Sequence, residues 1–213
     1  CEQLAKLSDR YEILVIDDCS QDQTADIIKG FAHDGVRFIP GSAITNDHWV
    51  HKNYACQQLL EHASGEYVLF TGVDVVLSTH SISQMVAYVL EHKLAMLSVL
   101  PARDASVGHS PLQTIRYWWE LALPRDAIRR PPALSSCWMA DTKKLKKLGG
   151  FEAVSRMVVP EAFFAREFGA KNIYKMVRGS LGLGIASRKL FGDQFSTAVR
   201  VRYPQLRRRP ELV

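Results

Sequence analysis

Four short apolar runs, separated by helix-like segments, leave this chain few ways to fold. Tyr11–Ile16, Val36–Ile39, Tyr67–Thr71 and Leu94–Leu100 are dominated by β-branched, aromatic and aliphatic residues. The longer runs lack regular polar alternation, which is the pattern of strands covered on both faces. Between the first two, Asp22 and Thr24 open an amphipathic segment through Ile27, Ile28 and Phe31. Lys52–Ala63 follows the second run and reads as a helix with Tyr54, Ala55, Leu59 and Ala63 on or near one face. After the third, Ser81 starts a helix whose Ile82, Met85, Val86, Val89 and Leu90 recur at i, i+3, i+4, i+7 and i+8, a core-facing stripe. Strand alternating with helix predicts an α/β domain built on a largely parallel sheet.

The chain has 213 residues, a suitable size for one domain with a substantial core. Hydrophobic residues make up 47% and charged residues 23%, close to globular averages, so neither a disordered chain nor a membrane bundle is suggested. No apolar run approaches the roughly 20 residues that a spanning helix needs. The sequence begins at Cys1, in what reads as the second half of a helix, so a first strand is expected to lie upstream. Net charge is +5, with arginines concentrated at positions 200, 202, 207, 208 and 209. Such a cluster suits phosphate-rich ligands, nucleic acid or an anionic membrane, and equally a solvated tail. No nucleic-acid recognition motif accompanies it, so nucleic acid is not an expected partner. Cys1, Cys19, Cys56 and Cys137 are far apart without metal-site spacing and fit a reducing compartment.

The second half is organised differently. Leu112, Ile115, Trp119 and Ala122 mark an amphipathic helix with Tyr117 and Trp118 beside it, ended by Pro124. Ser135–Ala140 reads as a strand, and Asp141 caps a short lysine-rich helix that ends at Gly149-Gly150. Pro160 opens another helix through Phe168, with Glu161 beside it, where an acid suits a helix start. Gly179–Ser187 is glycine-rich but lacks the spacing of a phosphate-binding loop, so it is expected to be a flexible loop.

Carboxylates stand where two of the apolar runs end. Asp17 and Asp18 follow Ile16, and Asp74 lies just past Thr71. In open α/β sheets ligands bind outside the carboxyl ends of the strands, although one of the first pair would also serve as a helix cap. Asp22 reads as a cap or turn former. Lys52 stands at a helix start, where a cation opposes the helix dipole, and this favours a ligand role. His51 beside it reads as structural or exposed.

With these pieces in order, the sequence resembles the family-2-type glycosyltransferases of the GT-A fold. Val15-Ile-Asp-Asp-Cys-Ser-Gln-Asp-Gln-Thr24 is similar to their VDDxSxDxT segment, and Trp49-Val-His-Lys-Asn-Tyr-Ala55 to a W-x-G-K-x-x-A element. The latter points to the membrane-associated branch that glycosylates lipids such as ceramides, carotenoids or hopanoids. Gly65–Asp74 resembles the segment carrying the metal-binding DxD, Lys147–Glu152 the iGGFe turn, and Pro160–Arg166 the EDvxLAR catalytic element. Three positions depart from the pattern: Gly72 replaces the first DxD acid, Pro160-Glu161 stands at the ED pair, and His51 replaces a glycine.

The resemblance implies a three-layer, Rossmann-like single catalytic domain over residues 1–213. Residues 1–104 would bind the nucleotide-sugar and 105–213 would form the acceptor side. It implies an inverting transfer from a UDP-sugar to a hydroxyl of a lipid or lipid-linked acceptor at the cytoplasmic side of the cell membrane. The alternative is a degenerate member that binds a nucleotide or partner without turnover. By the same resemblance, Glu161 would be the catalytic base, and Asp17, Asp18, Lys52, Val73 and Asp74 would contact the nucleotide-sugar. Asp74 would also hold a divalent cation, Mg²⁺ or Mn²⁺, and one carboxylate can share such an ion with substrate phosphates, only more weakly than two.

Overall fold

The structure is a computed structural model and describes residues 11–32, 35–44, 48–104, 131–179, 183–190, 192–193 and 195–196. The expected helix at 112–122 and the arginine-rich end lie outside these residues. Nine strands and five α-helices are defined among them. In chain order they are β1 (Ile13–Asp17), α1 (Thr24–Gly30), β2 (Val36–Pro40), α2 (His51–His62), β3 (Tyr67–Thr71) and β4 (Val75–Leu77). Then come α3 (Ser81–Glu91), β5 (Met96–Leu100), β6 (Ala102–Arg103), β7 (Cys137–Asp141), α4 (Thr142–Lys147), α5 (Pro160–Gly169), β8 (Tyr174–Arg178) and β9 (Ile185–Ser187).

β1 and β2 pair in parallel, and a second sheet runs β3-β7-β5-β8. β5 and β8 are parallel, but β7 is antiparallel to both β3 and β5, so the sheet is mixed rather than mostly parallel. A third small sheet, β4-β9-β6, joins the residues after β3 to the C-terminal part. Ile185–Ser187 is therefore a strand where the glycine-rich composition suggested a loop. Its pairing partners are 84 to 112 residues away in sequence, so local composition carries no trace of them.

Strand alternation builds two cores, one on each face of the central sheet. Met96, Trp138 and Ala140 face α2 and α5, packing with Leu60, Phe151, Val154, Phe164 and Phe168. Leu97, Val99, Cys137 and Met139 face α3, packing with Ile82, Met85 and Val89. β5 is buried at all five positions, which is why it reads as an apolar run broken only by Ser98, whose hydroxyl accepts the Leu134 N–H at 3.2 Å. In α3 the expected stripe holds except at Leu90, which is 56% exposed. Burial pushes the Cys137 thiol between these layers up to about 12.

α2 departs furthest from its apolar pattern. Its buried residues are Asn53, Ala55, Gln58 and Leu60, while Tyr54 and Leu59 are half-buried. The polar ones have partners in other segments. Gln58 Oε1 accepts the Ser42 N–H at 3.0 Å, and Asn53 Nδ2 donates to the carbonyls of Val154, Ser155 and Met157 at 2.9, 3.2 and 2.8 Å. Neighbouring Gln57, half-buried, accepts the Phe151 N–H at 2.9 Å. The glycine turn before Phe151 docks on the same helix. Gly150 has φ +56°, and a Cβ there would come within 2.8 Å of Gln57 Oε1 and 3.1 Å of Leu60 Cδ2.

Local chemistry sets the ends of several elements. Asp141 caps α4 as expected, its Oδ1 accepting the Lys144 N–H at 2.9 Å. Asp22 accepts the Thr24 N–H at 2.9 Å as a turn former, outside the cap position of α1. Glu12 accepts three hydrogen bonds through Oε1, from Ser64 N, Ser64 Oγ and Gly65 N, pinning the turn before β3 to the start of β1. Burial pushes its carboxyl pKa up, but these donors together with Arg37 outweigh that and hold the carboxyl below its ordinary 4.5.

Two outcomes follow for stability. Gly150→Ala adds a Cβ in a left-handed conformation and a contact on α2, so it should lower stability by about 1–3 kcal/mol, read as a shifted denaturation midpoint. Glu12 has a depressed folded-state value, so its contribution is complete above 4.5 and lost as pH falls through the folded value. Glu12→Gln should therefore flatten that acid limb of a stability-against-pH curve.

Candidate active site

The strand ends and the start of α2 enclose an open cleft of about 420 Å³ lined by Asp18, Cys19, Ser42, Ala43, Ile44, Trp49 and His51. β1 and β2 end in register, Asp17 opposite Pro40, and this brings the two following loops together. The Gly41 N–H donates to the Asp17 carbonyl at 2.9 Å. A Cβ on Gly41 would fall 2.4 Å from that oxygen, so only glycine permits the approach. Cys19 takes a left-handed turn, φ 61°, and its thiol donates to the Gly41 carbonyl. Asp18 is thereby turned toward the cleft, with His51 Nδ1 4.0 Å from its Oδ2. Asp17 lies beneath, buried, and its Oδ1 has no hydrogen-bond partner among the described residues. Neither of the two acids caps α1, whose cap position is Gln23. Trp49 closes the cleft wall and meets Tyr54 edge-on at 5.4 Å.

The residue after His51 faces another partner. Lys52 Nζ donates to Glu161 Oε1 at 2.5 Å, across 109 residues of sequence. Glu161 has no exposed side-chain surface, while Lys52 is 43% exposed. The second carboxylate oxygen of Glu161 is buried without a hydrogen-bond partner among the described residues. Glu161 stands in the first turn of α5 after Pro160, yet it makes no cap hydrogen bond, because its carboxylate turns to Lys52 instead. Cys56, one turn along α2, lies beside the pair. Burial pushes its thiol up to about 12, Lys52 pulls it down, and Glu161 pushes it further up. Lys52, expected beside a nucleotide, is not among the residues lining the cleft. One helix start therefore serves both places, His51 at the cleft and Lys52 at the buried carboxylate.

Asp74 occupies the turn between β3 and β4. Gly72 N donates to the Ser136 carbonyl and Val75 N to the Gly72 carbonyl, closing the turn. Val73, at its tip, is fully exposed. Asp74 is held from the C-terminal part: Ser187 Oγ donates to its Oδ2 at 3.0 Å, and the Arg188 N–H to its carbonyl at 2.8 Å. The Asp74 carboxylate folds back over Gly72, so that a Cβ there would lie 2.8 Å from Asp74 Oδ1. Among the described residues no group of three or more His, Cys, Asp or Glu side chains is arranged to hold a metal. The donor set is one carboxylate with a hydroxyl beside it. It fits a divalent cation shared with substrate phosphates, and not a cage built by the protein alone.

Asn53, Gln58 and Ser187 were not apparent as site residues in the sequence. A polar residue at a helix position that should face the core was the available signal for the first two. Ser187 gave none, since its partner is 113 residues away.

The three layers, the cleft at the strand ends and the acid in the following turn make up the GT-A fold. The sequence profile of Glycosyl transferase family 2 matches residues 1–149, and the chain belongs to that family. Among curated proteins none matches the sequence significantly. The fold is similar to that of S. aureus TarS 1-349, solved in complex with UDP, at 19% identity and a TM-score of 0.54 over 89% of this chain and 53% of that one. Glucosyl-3-phosphoglycerate synthase from Mycobacterium tuberculosis, in complex with phosphoglyceric acid, aligns at 18% identity and 0.56 over 92% of this chain and 67% of that one. The same enzyme with Mn²⁺, UDP-Glc and phosphoglyceric acid aligns at 17% and 0.55 over 88% and 64%. The chain thus spans about half the length of the TarS structure.

Removing Lys52 would leave a buried carboxylate without its cation, which typically costs about 3 kcal/mol or more. Lys52→Met should lower the denaturation midpoint accordingly, and Lys52→Met combined with Glu161→Gln should regain most of that loss.

Proposed function

We propose that this chain is the catalytic part of an inverting glycosyltransferase that moves a sugar from a UDP-sugar to a hydroxyl of a lipid or lipid-linked acceptor. The observation that carries this reading is Glu161, a fully buried carboxylate with one oxygen on Lys52 and the other unpartnered. In this role Oε2 takes the proton of the acceptor hydroxyl as that oxygen attacks the anomeric carbon. The new C–O bond forms opposite the leaving diphosphate, the old one breaks, and the anomeric centre inverts. Lys52 keeps the carboxylate oriented and its charge balanced.

Asp18 would hydrogen-bond the uracil or ribose in the cleft, with Trp49 as an apolar wall and Asp17 supporting from beneath. Val73 would border the donor at the tip of its turn. Asp74 would hold Mg²⁺ or Mn²⁺ together with the diphosphate, and the ion, when bound, offsets negative charge developing on the leaving group. The UDP and Mn²⁺ with UDP-Glc bound by similarly folded proteins support this choice of donor and ion. Exposed Val73, Met157 and Val158, near Asp74 and at the approach to α5, suit an acceptor with an apolar part. With the lipid-acting branch that the sequence resembles, they support work at the cytoplasmic face of the cell membrane. No helix among the described residues is long and apolar enough to cross it.

A second reading, nucleotide binding without turnover, is favoured by Gly72, which removes one carboxylate from the turn. Calorimetric titration of UDP into the full chain, with and without Mn²⁺, separates the outcomes. UDP should bind about tenfold more tightly with Mn²⁺, and Asp74→Ala should abolish that difference. Glu161→Gln should leave binding intact and lower transfer from UDP-sugars to membrane lipids by about 10²- to 10⁴-fold. Failure of UDP to bind under either condition would sink the donor assignment. Binding with transfer only after Gly72→Asp would favour the second reading.

A further inference from the structure

We propose that Asn53 is a positioning residue that sets Glu161 against Lys52, an inference that rests on the reading of Glu161 as the base. Asn53 follows Lys52 on α2 and is fully buried. Its carboxamide NH₂ is spread over three carbonyls, Val154, Ser155 and Met157, which belong to the segment running directly into Pro160-Glu161. A fourth bond, from the Val50 N–H to the Ser155 carbonyl at 2.8 Å, closes the same seam. All these acceptors are carbonyls, so only the nitrogen side of the amide can serve them, and this fixes the group's orientation. The opposite face, Oδ1, is buried without a partner among the described residues.

A polar side chain this deeply buried and only half satisfied is costly for stability alone; an apolar residue in its place would take the Asn53 donor from the Met157 carbonyl and leave the Val154 and Ser155 carbonyls to the N–H groups of Met157 and Val50. What the arrangement provides is a fixed distance between two elements that carry opposite members of the ion pair. Lys52 is on α2, Glu161 is on α5, and the residues leading into α5 are held by the position next to Lys52. A shift of the 154–157 segment would move Glu161 relative to Lys52 and to the acceptor oxygen, and a misplacement of about 1 Å can cost on the order of 100-fold in rate.

Competitive acylation of Lys52, read by mass spectrometry in the folded full chain, reports the pair directly and needs no turnover. Glu161→Gln provides the value for Lys52 without its anionic partner. Asn53→Ala should raise Lys52 acylation about tenfold toward that value, as expected for loss of a buried hydrogen-bonded contact. Asn53→Ser, which keeps one donor in a small side chain, should fall between. UDP affinity should stay within about threefold in both variants, and transfer should lose kcat with donor KM unchanged. Lys52 as protected in both Asn53 variants as in the parent would overturn the inference, as would a loss of UDP binding in step with the acylation. Full transfer by Glu161→Gln would instead refute the base assignment, and the acylation ratios would still decide whether Asn53 sets the pair.

Discussion

A carboxylate with no exposed surface has to be balanced, because the effective penalty for an uncompensated buried charge is several kcal/mol. Here the balance comes from Lys52, whose stem follows the start of α2 and whose ammonium reaches Glu161. Much of the tertiary arrangement around the site follows from the need to bring α2 and α5 to that distance. Asn53, Gln57 and the Val50 N–H fasten the segment before α5, the glycine turn at Gly149-Gly150 brings that segment onto α2, and the aromatic cluster of Trp138, Phe151 and Phe164 fills the space beneath.

The same helix also organises the donor side. Gln58 fastens Ser42, in the wall of the cleft, and His51 faces Asp18. A helix with buried amides has a weaker apolar stripe than its neighbours, so apolar spacing does not mark its buried face, and the same amides are why that face matters. Its buried side chains satisfy backbone groups of the loop at Ser42 and of the segment from Val154 to Met157 that leaves a 3-10 turn, and buried backbone groups there need partners. The helix that reads least clearly as core is therefore the one that holds the site together.

Asp74 belongs to a different part of the structure, tied by Ser187 and Arg188 to the small sheet formed with the C-terminal part. Gly72 leaves space that the Asp74 carboxylate itself occupies. A lone acid held by a hydroxyl is a weaker metal ligand than a pair, and the turn is correspondingly more dependent on the phosphates of its substrate for cation binding.

The sequence alone determined β1, β2, β3, β5 and β7 and the five helices, because burial on both faces writes largely apolar runs and a buried helix face such as that of α3 writes a 3.6-residue stripe. It also determined where acids follow strand ends and where Asp141 and Pro160 start helices, since these depend on a few neighbouring residues. Only the tertiary structure decided that β7 runs antiparallel, that Ile185–Ser187 is a strand, that Lys52 meets Glu161 and that Asp74 meets Ser187. Each of these joins residues tens to more than a hundred positions apart. A side chain's chemistry makes such contacts possible, but their choice depends on packing the two cores on opposite faces of one sheet, which no local pattern encodes.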